Sequence, residues 1–282
     1  MLKFIKTNNC QIQMNSDEFK EIVKDMCLFD NIFMRCCLAD DKENIQLMLS
    51  IILPEIKGLK VTEVKTEYDI LSLANRSVTL DAYAVDEKGK LYNIEIQKDD
   101  KGATGKRARY NGSLMDLDFL KKGKNFEELP TRYVIIISQN GYNCYSEPLK
   151  EYVYQSKDGK ILDDETHIVY VNGKNKDNTA LGKLMQDLSN KDYSTMNYKS
   201  LADKVRYYKT TEKGQEIMNE KLTELMNEKL RDLLNKELYN RNINIFSNML
   251  KKGIQSQDIK DILKLSDADY NVLYPLALKL AQ

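Results

Sequence analysis

The sequence predicts an α/β fold in which a mixed sheet flanked by helices is followed by a long amphipathic helix and a small helical carboxyl-terminal region. Two short runs of β-type residues, 78–85 and 91–97, flank a polar segment that ends in Lys-Gly-Lys, a pattern typical of a hairpin. The continuous apolar run over 133–138 is typical of a central strand that is covered on both faces. Residues 213–240 are almost all helix formers with an apolar stripe, which indicates a long amphipathic helix.

The composition is that of a soluble protein without a global signal for nucleic acid. The 282 residues include 42% hydrophobic and 30% charged side chains with a net charge of zero, so any contact with DNA must come from a local basic patch. The five cysteines are odd in number and scattered, which is typical of reduced intracellular thiols. The single histidine, His167, lies in a β-like run and is expected to pack beside a strand, which disfavours zinc sites and histidine-dependent hydrolases.

No run in the sequence is long enough to cross a membrane. The longest apolar run, 47–53, is far below the ~20 residues that a spanning helix needs. Residues 1–6 lack the apolar region and the cleavage site of a signal peptide. We therefore expect a cytoplasmic protein with no membrane partner.

Four segments are predicted along the chain. Residues 1–15 are polar and unpatterned and are interpreted as a flexible tail. A sheet domain is expected over 16–198, a long amphipathic helical segment over 199–244, and a small helical region over 245–282. The apolar stripe of the helix over 213–240 is a candidate surface for forming a homo-oligomer.

The elements of the sheet domain follow from apolar spacing and from helix-breaking residues. Ahead of the hairpin we expect a helix from Ser16, a helix over 30–37, a helix opened by residues 40–41 that ends at Pro54, a strand over 59–68 and a loop over 69–77. After the hairpin we expect a helix over 103–121, the buried strand, a second hairpin over 152–162 and a last strand over 168–171. Strand, helix and buried strand in this order indicate a crossover connection.

The register of the first hairpin depends on its turn. The simplest turn is a three-residue loop over 87–89, in which Gly89 takes the left-handed conformation of a bulge. That loop pairs Asp86 with Lys90. A two-residue turn at 88–89 would shift the register by one residue and move side chains to the opposite face of the sheet.

With the three-residue turn, Asp81 lies opposite Glu95 and shares a face with Asn93 and Gln97. Two carboxylates on adjacent strands repel each other unless a cation lies between them. A hard divalent ion such as Mg²⁺ binds through one or two carboxylates together with waters and substrate phosphates. The alternative is an acidic pair that faces solvent on an exposed side of the sheet.

The motif residues resemble a known nuclease superfamily. Asp81, the hairpin and the run over 93–97 look like the D…ExK half-site of the PD-(D/E)XK nucleases, and the Glu-x-Gln ending resembles their Rpn-like, recombination-promoting and transposase-associated branch. Segments 29–35, 106–110 and 206–209 resemble further motifs of that branch in the same order. The resemblance implies a restriction-endonuclease-like fold and a Mg²⁺- or Mn²⁺-dependent endonuclease that acts on DNA. It also implies a role in recombination, mobile elements or phage defence.

The resemblance assigns roles to individual residues. Asp81 and Glu95 would hold the metal, and Gln97 would orient the attacking water or a phosphate oxygen. Asp30 is an additional candidate acid, with Glu67 as its rival. Gln97 stands where most members of the superfamily place a lysine, and a neutral amide polarises water or phosphate less well than an ammonium group does.

A basic cluster follows the Glu95 strand along the chain. Lys106, Arg107 and Arg109 lie on a predicted helix, from which they could bind DNA phosphates near the metal. The alternative is a solvated helix face with no ligand.

Two functions of other classes remain open from the sequence. The first is a catalytically inactive nuclease fold that serves as a binding or assembly module through the helix around 222–238, and Gln97 favours it. The second is a helical regulator in which 245–282 binds specific DNA.

Overall fold

The computed structural model describes residues 16–70 and 77–281. The predicted tail over 1–15 and most of the predicted loop over 69–77 lie outside this part of the chain. Two compact units are present, one over Ser16–Asn219 and one that begins at Glu220. The first unit contains the sheet and all the candidate site residues.

The predicted mixed sheet is confirmed as six strands in the order β1-β2-β3-β4-β6-β5. The strands are β1 (Val61–Ile70), β2 (Val78–Asp86), β3 (Leu91–Gln97), β4 (Arg132–Ser138), β5 (Leu149–Tyr152) and β6 (Thr166–Asn172). Strands β1, β2 and β3 are antiparallel neighbours, β3, β4 and β6 run parallel, and β5 is antiparallel to β6.

Helices surround this sheet and make up the second unit. They are α1 (Ser16–Asp25), α2 (Asn31–Leu38), α3 (Lys42–Ile52), α4 (Gly105–Phe119), α5 (Ala180–Leu188), α6 (Lys199–Thr210), α7 (Glu212–Lys251), α8 (Ser256–Ile262) and α9 (Asp267–Ala281). Helix α4 connects the parallel strands β3 and β4, as the crossover prediction requires. No helix within the described ranges is both long enough and apolar enough to span a bilayer.

Helix α4 packs on the sheet face that carries Glu95. Ala108, Leu114 and Met115 of α4 belong to one buried cluster with Val134 and Ile136 of β4. All seven residues of β4 are buried, which confirms that this apolar run is a central strand covered on both faces.

The first hairpin has the predicted register. Val85 pairs with Leu91 and Ala82 pairs with Ile94, so Asp81 lies opposite Glu95. Gly89 adopts a φ of 76°, which is the left-handed conformation that the three-residue turn requires.

The Asp86 carboxylate stabilises the turn of this hairpin. It accepts hydrogen bonds from the backbone N–H groups of Lys88 and Lys90, both at 2.9 Å, and from the Tyr92 hydroxyl at 2.9 Å. A short polar side chain that binds the backbone two residues ahead is a common feature of tight turns. The turn that sets the register is therefore determined locally.

The predicted second hairpin over 152–162 is confirmed around its turn, where Gln155 pairs with Ile161, but Tyr152 pairs with β6 instead. Residues 149–152 form β5, which pairs with β6, and the segment that follows contains one isolated bridge, between Gln155 and Ile161. Strand β5 lies at the edge of the sheet, where part of its surface stays in water, so its polar residues are tolerated. Side chains in the segment after β5 remain exposed, including Tyr154 at 50%.

The second unit has its own small core. Phe246 of α7, Ile259 of α8 and Leu273 of α9 are fully buried in one apolar cluster. Ser266 caps the start of α9, because its Oγ accepts from the N–H of Asp269 at 3.1 Å.

Candidate active site

Asp81 and Glu95 lie side by side on one face of the sheet, where β2 begins and β3 ends. Each is only 1% exposed, so the pair does not face solvent. The N–H of Ile96 donates to Asp81 Oδ2 at 3.3 Å, which ties the carboxylate of β2 to the backbone of β3. The Gln97 amide donates to Glu95 Oε2 at 3.3 Å. The structure thus brings Asp81, Glu95 and Gln97 together, as the hairpin register predicts.

Two arginines compensate the charge of the carboxylate pair. Arg35 of α2 places one terminal nitrogen 3.3 Å from Asp81 Oδ1 and the other 3.0 Å from Glu67 Oε1. Arg107 of α4 places a terminal nitrogen 2.9 Å from Glu95 Oε2. Helices from two different parts of the chain therefore converge on the two acids.

The pKa values of both acids are displaced upward. Burial and, after it, the neighbouring Asp81 carboxylate raise the pKa of Glu95 to about 7, although Arg107 opposes the shift. Burial also raises the pKa of Asp81, against the guanidinium of Arg35. Because a buried charge is costly without a partner, both carboxylates favour a nearby cation.

Two buried asparagines surround Glu95 and leave oxygen atoms unpaired. The amide nitrogens of Asn93 in β3 and Asn111 in α4 donate to Glu95 Oε1 at 3.2 and 3.3 Å. The Oδ1 atoms of both asparagines are buried and have no hydrogen-bond partner in the described part of the chain. Since an unsatisfied buried acceptor costs free energy, these oxygens are available for a further donor or a cation.

The donor set suits a hard cation. Carboxylate and amide oxygens are the ligands that Mg²⁺ and similar ions prefer, and this corner of the sheet offers both types. Within residues 16–70 and 77–281, no group of three or more acidic, cysteine or histidine side chains is arranged to hold a metal. An ion here would therefore complete its coordination with waters, amide oxygens or substrate oxygens.

The two candidate additional acids have different surroundings. Glu67 shares Arg35 with Asp81, and its φ of 50° is unusual for a residue with a side chain. Asp30 instead accepts from Lys98 Nζ at 2.6 Å and from the Cys27 N–H at 2.9 Å. Burial acts to raise the pKa of Asp30, but these hydrogen bonds hold it below its usual value. Glu67 is therefore the acid that is linked to the carboxylate pair.

The three residues of the predicted basic cluster differ in their contacts. Arg107 reaches Glu95 while 41% of its side chain stays exposed, and the side chains of Lys106 and Arg109 are exposed as well. Thr104 caps α4 by accepting from the Arg107 N–H at 3.3 Å, so Arg107 lies in the first turn of the helix. Arg107 is therefore the member of the cluster that forms an ion pair with the candidate site.

The sequence reasoning missed Arg35 and Asn111 as site residues. Arg35 lies 46 residues before Asp81, and no local pattern joins the two. Asn111 follows Arg107 by four residues, a spacing that places both side chains on one face of a helix. From that spacing, Asn111 could have been predicted to lie near the site together with Arg107.

Comparisons with known proteins identify one family. A family model described as PD-(D/E)XK nuclease family transposase matches residues 38–242, which include Asp81, Glu95 and Gln97. No curated protein and no solved structure gives a significant match. The order of the motifs, the mixed sheet and the family match agree, and the chain belongs to the PD-(D/E)XK nuclease family transposases.

Proposed function

We propose that this protein is a metal-dependent DNA endonuclease whose active centre is formed by Asp81 and Glu95. The observation that supports it best is the convergence of these two buried carboxylates from neighbouring strands onto one face of the sheet. Burial and mutual repulsion make the pair unfavourable without compensating positive charge. The family match supports phosphodiester hydrolysis as the reaction class.

The residues present fit a divalent ion such as Mg²⁺ or Mn²⁺. Asp81 and Glu95 would hold it, and the unpaired amide oxygens of Asn93 and Asn111 could bind the ion or its waters. Such an ion would activate water and stabilise the charge that develops on the phosphodiester. Glu67, as the acid linked to Asp81 through Arg35, is the better candidate for an additional acid than Asp30.

The other polar side chains would bind and orient the substrate. Gln97, which already contacts Glu95, would orient the attacking water or a phosphate oxygen. Arg107 is 41% exposed and lies at the end of α4 that faces the site, so it could transfer its hydrogen bond from Glu95 to a DNA phosphate. Lys106 and Arg109, which are exposed on the same helix, would bind flanking phosphates.

The wider assignments rest on the family and on the sequence. We place the activity in the cytoplasm, in recombination, mobile-element movement or phage defence. The nuclease domain is proposed to cover 16–198, followed by the helical segment 199–244 and the small region 245–282. Self-association is proposed through 213–240, where Leu233 is 61% exposed.

A nuclease fold that binds without cutting is the second candidate function. The observation that favours it is the set of contacts at Glu95, where Arg107 and Gln97 occupy one carboxylate oxygen. Gln97, a neutral amide where most members of the superfamily have a lysine, also favours binding without cleavage.

A plasmid-nicking assay with Mg²⁺ or Mn²⁺ separates the two functions. The parent should nick supercoiled DNA, and Asp81→Asn and Glu95→Gln should each abolish nicking while both variants keep the parent's circular dichroism spectrum. Glu127→Gln, which alters an exposed glutamate, is the matched control and should cut like the parent. Cleavage that survives both active-centre substitutions would reject this centre. DNA binding without cleavage by the parent would support the binding module.

A further inference from the structure

A cavity of about 260 Å³ lies beside α4 on the same face of the sheet as the candidate active centre. Ile168 of β6 lines it. Two residues later, Tyr170 pairs with Ile136 of β4, which in turn pairs with Glu95 of β3. Because side chains alternate along a strand, Ile168 and Glu95 share a face. The volume is just below the range of roughly 300–1,000 Å³ typical of pockets for drug-sized ligands, so it suits a single ring system.

The lining of the cavity includes two arginines, of which one is paired with an acid. Arg109 of α4 and Arg132 of β4 both line it, and none of the residues that line it is acidic. Arg132 is 7% exposed and is held by Asp116, with Nε 2.8 Å from Oδ1. The guanidinium of Arg109 makes no ion pair or hydrogen bond with any residue in 16–70 or 77–281, which leaves its charge available to an anion.

Aromatic side chains form the outer wall. Tyr152 is held in place, because its ring packs edge-on against Tyr170 at 5.7 Å and its hydroxyl donates to the Asn143 carbonyl at 2.8 Å. Tyr154 lines the same cavity and is 50% exposed. A fixed ring and an exposed ring beside a free guanidinium provide stacking surfaces together with a phosphate partner.

We propose that this cavity binds one unpaired nucleobase of the DNA substrate, stacked against Tyr154 and Tyr152, with Arg109 on an adjoining phosphate. The proposal rests on the proposed DNA substrate and extends it to distorted or single-stranded DNA. Arg107 and Arg109 are two residues apart on α4 and therefore point to opposite sides of the helix. A helix is about 10–12 Å wide with its side chains, so a strand crossing it would place the base a few nucleotides from the cut.

The test uses the full chain in EDTA, so that binding is measured without cleavage. Fluorescence anisotropy gives the affinity for a single strand and for the matched duplex, and 2-aminopurine in the single strand reports stacking. The parent should bind the single strand more tightly and quench 2-aminopurine. Tyr154→Ala should weaken single-strand binding by about 5- to 50-fold, as expected for the loss of one base stack, and should abolish the quenching. The affinity of Tyr154→Ala for the duplex should differ from that of the parent by less than about twofold, because the bases of a duplex stay stacked on each other.

Two variants make the result specific. Tyr154→Phe should keep the quenching, because the ring and not the hydroxyl provides the stack. Phe126→Ala removes an aromatic side chain that is 79% exposed and does not line the cavity, and it should behave like the parent.

Each outcome has one interpretation. DNA binding without quenching, insensitive to Tyr154→Ala, would overturn the nucleobase pocket and leave the nuclease proposal intact. No binding to either DNA would instead count against the proposed substrate itself, and the pocket proposal would fall with it. Analytical ultracentrifugation gives the molecular mass of the parent and of Tyr154→Ala. A lower mass for the variant, with DNA binding unchanged, would reject the pocket and indicate that Tyr154 contacts a second copy of the chain.

Discussion

A terminal nitrogen of Arg107 lies 2.9 Å from Glu95 Oε2, so a guanidinium from α4 neutralises one of the two buried acids. Arg35 does the same for Asp81 at 3.3 Å. The two guanidinium groups thus place positive charge beside both acids. Arginine can also bind a phosphate in bidentate fashion, so both groups can serve the substrate once the acids have another partner.

Replacing Arg107 should strengthen metal binding in the absence of DNA. Arg107→Ala removes a cation that competes for Glu95, and we expect the affinity for Mn²⁺ to rise by about fivefold, or ~1 kcal/mol after allowing for the partial exposure of the arginine. Isothermal titration calorimetry measures this directly. Arg109→Ala, the same substitution two residues along α4, is the control and should leave Mn²⁺ affinity unchanged. Equal affinities for the Arg107 variant and the parent would show that the guanidinium does not compete with the metal.

The raised pKa of Glu95 predicts a pH dependence of stability. Between the ordinary value of 4.5 and about 7, the folded protein holds a proton that the unfolded chain has lost. The free energy of unfolding should therefore fall as pH rises through this window, by about 3 kcal/mol from this residue. Urea unfolding of the metal-free protein at pH 5 and pH 8 measures the change.

Glu95→Gln is the comparison that isolates this effect. The variant cannot ionise at position 95, so its stability should fall less between pH 5 and pH 8 than that of the parent. Mn²⁺ should restore much of the parent's stability at pH 8, because bound metal favours the ionised carboxylate. Parallel pH profiles for parent and variant would contradict the raised pKa.

Arg35 should matter more for stability than Glu67, although the two form an ion pair. Arg35→Ala leaves the buried Asp81 without its guanidinium and should lower the free energy of unfolding by about 2–3 kcal/mol at pH 7.5. Glu67→Gln removes a partner that is 43% exposed and should have a small effect. Urea unfolding of both variants gives the comparison, and equal losses would indicate that the Glu67 contact is as important as the Asp81 contact.

Gln97 should affect the rate of cleavage more than the binding of metal. Gln97→Ala removes an amide that would orient water or phosphate, and we expect kcat to fall by about 10- to 100-fold. Its Mn²⁺ affinity by calorimetry should stay within about twofold, because Asp81 and Glu95 remain in place. Gln97→Lys, which supplies the cation usual in the superfamily, should retain or exceed the parent's rate. A Gln97→Ala variant as fast as the parent would remove Gln97 from the mechanism.

The parts that the sequence predicted correctly depend on contacts between close neighbours in the chain. The β2–β3 register follows from the left-handed Gly89 and from the Asp86 carboxylate, which binds backbone groups two and four residues ahead. That register alone predicts that Asp81 and Glu95 share a face. The pairing of β5 could not be read in this way, because its partner strand lies more than ten residues away and an edge strand has no apolar pattern to mark it.

The sequence by itself determined the mixed sheet, the central buried strand and the meeting of Asp81 with Glu95, because strand alternation and a tight turn are local properties. Only the tertiary structure decided what surrounds the two acids. Arg35 comes from a helix distant in sequence, and Arg107 binds Glu95 although 41% of its side chain stays exposed. Both positions follow from burial, since two carboxylates removed from water require positive charge from whichever element lies within reach.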